Sequence, residues 1–137
     1  MNQAAKPVDI RLHRKSKILE LQFDDGVTFQ LPCEYLRVLS PSAAVRGHGP
    51  GQEVLQVGKR QVNIDAVEPV GQYAVKLVFD DGHDSGIYTW DYFYKLGVEQ
   101  ESLWADYLGQ LEKAGKSREP ERVNSLGKLK VVVEKKA

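Results

Sequence analysis

The sequence predicts an α+β protein: an antiparallel β-sheet built from two Asp-Gly hairpins, with two C-terminal helices packed on it. Three observations carry this. Up to residue 89, apolar and polar residues alternate over short stretches, the period of half-buried strands. Asp24-Asp25-Gly26 and Asp80-Asp81-Gly82 each fall between two such stretches, and Asp-Gly supplies the positive φ angles of a tight type I′ turn. Beyond residue 98, Leu103, Trp104, Tyr107, Leu108 and Leu111 recur at helical spacing, giving one buried face. Hairpins of this kind make antiparallel pairs, whereas parallel strands need long crossovers.

Residues 1–16 are polar, with Pro7 and the basic stretch His13-Arg14-Lys15, and read as a flexible arm. Strands follow near 18–23 and 27–31, with Leu19, Leu21, Phe23, Phe29 and Leu31 as the inward set. Pro32 stops the second strand and opens a short helical segment that buries Tyr35, Leu36, Val38 and Leu39 and ends near Ser40-Pro41. Residues 41–60 collect Pro41, Gly47, Gly49, Pro50, Gly51 and Gly58. This is a loop longer than the usual connection, and such loops often carry recognition. Strands near 61–67, 73–79 and 85–89 surround the second Asp-Gly turn. Thr89 is placed to cap a short helix over 90–96 that Gly97 ends, and a helix over 100–114 is closed by Gly115.

The repeated pattern Leu21-Gln22-Phe23-Asp24-Asp25-Gly26 and Leu77-Val78-Phe79-Asp80-Asp81-Gly82 is open to two readings, duplication or convergence on hairpin chemistry. Convergence is the simpler one. Residues 17–115 thus form one domain, and residues 116–137, with seven basic and three acidic residues, form a mobile charged tail.

Composition narrows the function. Lys+Arg and Asp+Glu are 19 each, a balance that argues against a nucleic-acid binder. No apolar run approaches the roughly 18–20 residues of a membrane span, and the N-terminus lacks the apolar core of a secretory signal. The single cysteine, Cys33, excludes an internal disulfide and a Cys-only zinc cluster. The expectation is a cytoplasmic domain with no nucleic-acid or membrane partner.

Several motifs, in order, resemble one family. Leu31-Pro32-Cys33-Glu34-Tyr35-Leu36-Arg37-Val38-Leu39-Ser40-Pro41-Ser42-Ala43, Arg46-Gly47-His48-Gly49-Pro50-Gly51, the segment from Ile64 to Ala74, and Asp81-Gly82-His83 followed by Ile87-Tyr88-Thr89-Trp90 are similar to the N-terminal domain of gamma-butyrobetaine hydroxylases, known in bacteria as DUF971. The likeness covers about residues 10–114. It lacks the oxygenase barrel of the hydroxylases and looks like a stand-alone bacterial form; related domains are also joined to ATPases of the iron–sulfur carrier type.

The resemblance implies a structural zinc held by three cysteines and one histidine. Those positions fall on Ser40, Ser42, Val45 and His83. Serine is a poor zinc ligand at neutral pH and valine is none, so the expectation is a lost metal site and no cofactor, with iron or zinc as the weaker alternative. His83-Asp84 is not the His-x-Asp of a facial iron site, so dioxygenase activity does not transfer.

The remaining candidates each carry a functional and a bland reading. His83, between Asp81 and Asp84, is a weak ligand or general base, or a turn histidine bonded locally. Arg46-Gly47-His48-Gly49-Pro50-Gly51 is an anion cradle, a partner-docking loop, or a mobile loop; it lacks the Gly-Lys-Ser/Thr of a P-loop. Cys33 at a helix start is a reactive thiol or a small buried apolar group. Tyr88, Trp90, Tyr92, Phe93 and Tyr94 form a platform or, by the commoner arrangement, core. Lys128, Lys130, Lys135 and Lys136 contact acidic partners or are simply solvated. No catalytic set is assignable, so the protein is expected not to be an enzyme. The leading expectation is an accessory domain that binds an unidentified protein through Arg46, His48, Asp81, His83 and Asp84. The alternative is a metal-handling protein assisting iron or iron–sulfur enzyme maturation.

Overall fold

A computed structural model describes residues 5–47, 49 and 51–120. Six strands and four helices are found among them: β1 (Pro7–His13), β2 (Ile18–Phe23), β3 (Thr28–Pro32), α1 (Cys33–Val38), α2 (Ala43–Arg46), β4 (Ile64–Val70), β5 (Ala74–Phe79), β6 (Ile87–Thr89), α3 (Trp90–Val98) and α4 (Gln100–Ala114). The class is α+β and every strand pair is antiparallel. The strands divide into two three-stranded sheets, β1-β2-β3 and β4-β5-β6, where the sequence suggested one.

Both sheets contribute to a single core. The central strands carry it: Leu19, Leu21 and Phe23 on β2, and Val75, Leu77 and Phe79 on β5, are buried with Leu31, Leu36, Tyr88, Phe93 and Leu96. The buried tyrosines place their hydroxyls on carbonyls left without an intrahelical donor at helix ends. Tyr35 donates to Leu96 O at 2.6 Å and Tyr88 to Leu36 O at 2.6 Å.

The flexible arm over residues 1–16 gives way, over Pro7–His13, to an edge strand paired with β2. The alternation Val8, Ile10, Leu12 signals it, but only Ile10 and Leu12 pack on the core. Strand β4 starts at Ile64 and runs through Pro69 to Val70. It is a sheet edge, where a missing N–H is tolerated. Gly97 lies inside α3 and does not end it; a Cβ there would meet the Phe29 ring at 2.4 Å, so close packing selects glycine. The long loop also contains α2, capped by Ser42, whose Oγ accepts from Ala44 N–H. Lys128, Lys130, Lys135 and Lys136 lie outside the described residues, but Lys116 to Pro120 are described, and the backbone of Ser117 and Arg118 is bonded to Gly58 and Arg60.

The two Asp-Gly turns are also of a different type. Gly26 and Gly82 have φ of +89° and +93°, while Lys17 is the one non-glycine with positive φ among the described residues. Gly26 N–H donates to Phe23 O and Phe23 N–H to Val27 O; Gly82 and Phe79 repeat this with Phe79 O and His83 O. These are three-residue loops closed by a left-handed glycine. Both Asp24 and Asp80 bind the chain that enters the sheet, Lys6 and Asn63 respectively, through N–H and carboxylate.

The likeness between the halves extends far beyond the turns. Each half is a βββ meander followed by a helix, with a register shift at the same place in its first strand, Pro7/Asp9 and Ile64/Ala66. Tyr35 corresponds to Tyr92 and Leu39 to Leu96. Tyr35 bonds the Leu96 carbonyl while Tyr92 bonds the Leu39 carbonyl, so the halves clasp each other reciprocally. Convergence on a hairpin turn does not require this, and duplication is the better reading.

Candidate functional site

The site lies where the end of α1 and the start of the long loop meet the β5–β6 turn. Helix α1 positions Arg37 inward, its side chain 8% exposed, with Nε donating to Asp81 Oδ2 at 2.8 Å. A second nitrogen donates to Gln56 Oε1 at 3.0 Å. Lys59, from the far part of the loop, also donates to Asp81 Oδ2, at 2.6 Å. Asp81 Oδ1 accepts the backbone N–H of His83 at 3.1 Å. One turn residue thus ties together α1, the loop and the hairpin. Burial pushes the Asp81 carboxyl up, but the bonds from Lys59, His83 N–H and Arg37 outweigh it and hold the group below its ordinary range.

His83 and Ser40 touch, with Nε2 and Oγ 2.8 Å apart. Ser40 is fully buried and its Oγ also accepts Ser42 N–H at 3.2 Å. Burial lowers the His83 pKa, aided by Arg37 and Lys59 and opposed by Asp81 and Asp84, so the neutral imidazole is favoured at neutral pH. Ser42 Oγ lies 2.6 Å from Ser85 Oγ. Val45 is buried in α2, and its carbonyl accepts Val54 N–H at 2.8 Å. Gly86 lets the chains approach: a Cβ there would stand 2.4 Å from Ser40 Oγ.

These residues do not fit a zinc centre. The one imidazole of the set is engaged by Ser40, the other positions offer hydroxyls and an isopropyl group, and no cluster of three His, Cys, Asp or Glu exists among the described residues. Hydrogen bonds fasten the loop instead. The Ser40–His83 pair is not arranged as an accessible nucleophile and base, because its hydroxyl has no exposed surface.

Of the expected surface residues, Asp81 and His83 serve this fastening. Arg46 and Asp84 are exposed, and His48 lies outside the described residues. Cys33 is buried, donates to Asn63 Oδ1 at 3.6 Å, and has its thiol pKa pushed up to about 11 by burial; it is an inert core group. Tyr88 and Phe93 stack within the core. Sequence reasoning missed Arg37, Gln56, Lys59, Ser85 and Gly86. Arg37 carried a signal, as a charge among the apolar residues of α1.

Next to the fastening lies a groove of about 420 Å³ between the loop and α4, floored by Val38, Leu39 and Leu103 and edged by Arg46, Val54 and Asp106. Val54 is 53% exposed.

The family model for gamma-butyrobetaine hydroxylase-like, N-terminal domains matches residues 10–94. Two solution NMR structures are similar. One is 51% identical over 93% of this chain and 100% of its own, with a TM-score of 0.76. The other is 46% identical over 100% and 99%, with a TM-score of 0.75. A crystal structure from Acidithiobacillus ferrooxidans, of a protein with unknown function in the DUF971 family, is 40% identical over 66% of this chain and 91% of its own, with a TM-score of 0.56. No curated protein matches. The chain belongs to the gamma-butyrobetaine hydroxylase-like N-terminal domain family, DUF971.

Proposed function

We propose that this domain is a non-catalytic interaction module whose working surface is formed by α2 and the long loop after it, with Arg46 on α2 and Val54 on the loop at its centre. One observation carries the reading. The loop is held in place by side chains of other elements: Arg37 and Tyr107 bond Gln56, and Asp81 bonds Lys59. An irregular segment fixed this firmly, while it turns a half-exposed valine outward beside the arginine of α2, has the character of a recognition surface. The partner is a protein.

The test uses the full chain carrying Arg46→Glu and Val54→Asp. Both side chains are exposed, so the NMR spectrum should remain that of the folded wild type. Crosslinked partners captured from a bacterial lysate should be lost with the double variant and kept with Asp84→Ala. Capture of every partner unchanged would place the surface elsewhere.

The metal-handling alternative rests on His48 and His83. Titration of zinc or ferrous ion into tag-free protein tests it, with stoichiometric binding lost on His83→Ala as its signature.

A further inference from the structure

A second site lies between α1, the α3–α4 junction and the segment after α4, and only the far end of the long loop, at Gly58 and Arg60, reaches it. Glu34 is buried in it, with a side chain 7% exposed. Both its oxygens are taken by one guanidinium: Arg118 Nε donates to Oε2 and Nη2 to Oε1, each at 2.7 Å. The same guanidinium lies 5.1 Å from the centre of the Trp104 ring. A buried carboxylate answering the guanidinium fork and an indole face above its plane are the two features that select arginine over lysine. Beside the ion pair lies an open pocket of about 620 Å³, and Arg118 lines it together with Glu34, Tyr35, Trp104, Gln100 and Glu101. Glu101 makes no ion pair among the described residues.

The side chain is firmly paired, but the backbone that carries it is sparsely bonded. Arg118 arrives on an irregular segment beyond the left-handed cap at Gly115. Among the described residues, its backbone is bonded through Lys116 N–H to Leu111 O at the end of α4, and through Ser117 O and Arg118 O to the N–H groups of Gly58 and Arg60. The Arg60–Glu119 ion pair beside them is half exposed, so it adds little. Arg118 itself is 31% exposed. Yet the segment has no simple way to leave, because a buried carboxylate without its cation is strongly disfavoured. Exchange for another guanidinium avoids that cost, and the N–H groups of Gly58 and Arg60 would donate to the carbonyls of an incoming main chain as they do to Ser117 and Arg118.

We infer that the Glu34–Trp104 pocket is a recognition seat for an arginine side chain presented on an extended segment of a partner polypeptide, and that Arg118 is its resident occupant. It uses neither Arg46 nor Val54, the residues at the centre of the surface proposed above.

The probe is the pentapeptide acetyl-Lys-Ser-Arg-Glu-Pro-amide, which copies residues 116–120, added to the full chain and followed by the Trp104 indole N–H resonance. Arg118→Ala should bind it at least tenfold more tightly than wild type does. It should bind at least tenfold more tightly than the same peptide with lysine for arginine, and than ethylguanidinium alone. Adding Glu34→Gln to Arg118→Ala should weaken binding at least tenfold. If Arg118→Ala loses its folded spectrum, Arg118→Lys, which keeps the charge but not the fork, must show the same order. No saturable binding, equal binding of the lysine peptide, or indifference to Glu34→Gln would overturn the seat. Equal binding of ethylguanidinium would overturn the polypeptide ligand.

Discussion

Arg37 donates to Asp81 at 2.8 Å, and at the corresponding place in the other half Tyr94 donates to Asp25 at 2.7 Å. The two halves thus make the same cross-unit bond with different chemistry. Phe29 packs on Gly97 in one half, and Ser40 crowds Gly86 in the other. One half has kept an aromatic contact, Phe23–Phe29–Tyr94, where the other has built the polar fastening of the loop.

That difference sets the first prediction. Arg37→Ala strips a buried cation from Asp81 and should cost about 2–4 kcal/mol. Tyr94→Phe removes a bond to an exposed carboxylate and should cost less than about 1 kcal/mol. Urea midpoints of the two variants decide it, and equal losses would refute the distinction.

A second prediction concerns pH. The folded state holds the His83 pKa below its ordinary value, chiefly by burial. Between the folded pKa and about 6.5 the unfolded chain binds more protons, so stability rises with pH across that window and is lost as pH falls through it. Asp81, also held low, contributes stability above its ordinary pKa that is lost as pH falls through the more acid range. His83→Gln should flatten the upper slope alone, read from urea unfolding at a series of pH values.

Glycine replacements give a third. Gly86→Ala and Gly97→Ala force a methyl against Ser40 Oγ and the Phe29 ring, and each should cost about 1–3 kcal/mol. Gly109, inside α4 with open space around it, should gain roughly 0.5–1 kcal/mol on replacement by alanine. Thermal melts of the three variants check the order.

The buried Cys33 thiol supplies a fourth. It should resist a thiol reagent such as DTNB in native buffer and react fully in denaturant. Rapid labelling of the folded chain would contradict its place in the core.

The strands β2, β3 and β5 and the helix α4 were legible in the sequence because their period matches their burial, as with Leu19, Leu21 and Phe23. Strand β1 was obscured because its Val8 faces solvent and its polar residues mask a weak alternation. Leu108, at helical spacing with Trp104 and Leu111, is 39% exposed, so the covered face of α4 is narrower than the spacing suggests. The contact of Ser40 with His83 followed from the resemblance. Its chemistry did not, because partners such as Ser85 and Gly86 become meaningful only once the loop and the turn are brought together. Lys59 and Gln56 carry no local signal at all, since their roles depend on the path of the loop.

Side-chain bonds from α1 and the β5–β6 turn hold the loop at Gln56 and Lys59. Amide hydrogen exchange at Val54, whose N–H is bonded to Val45 O, tests it most directly. In wild type this amide should be protected. In Arg37→Ala/Ser40→Ala its protection should fall at least tenfold, while the amides of Leu19 and Leu77 in the core strands stay protected relative to it. Unchanged protection at Val54 in the double variant would contradict the account.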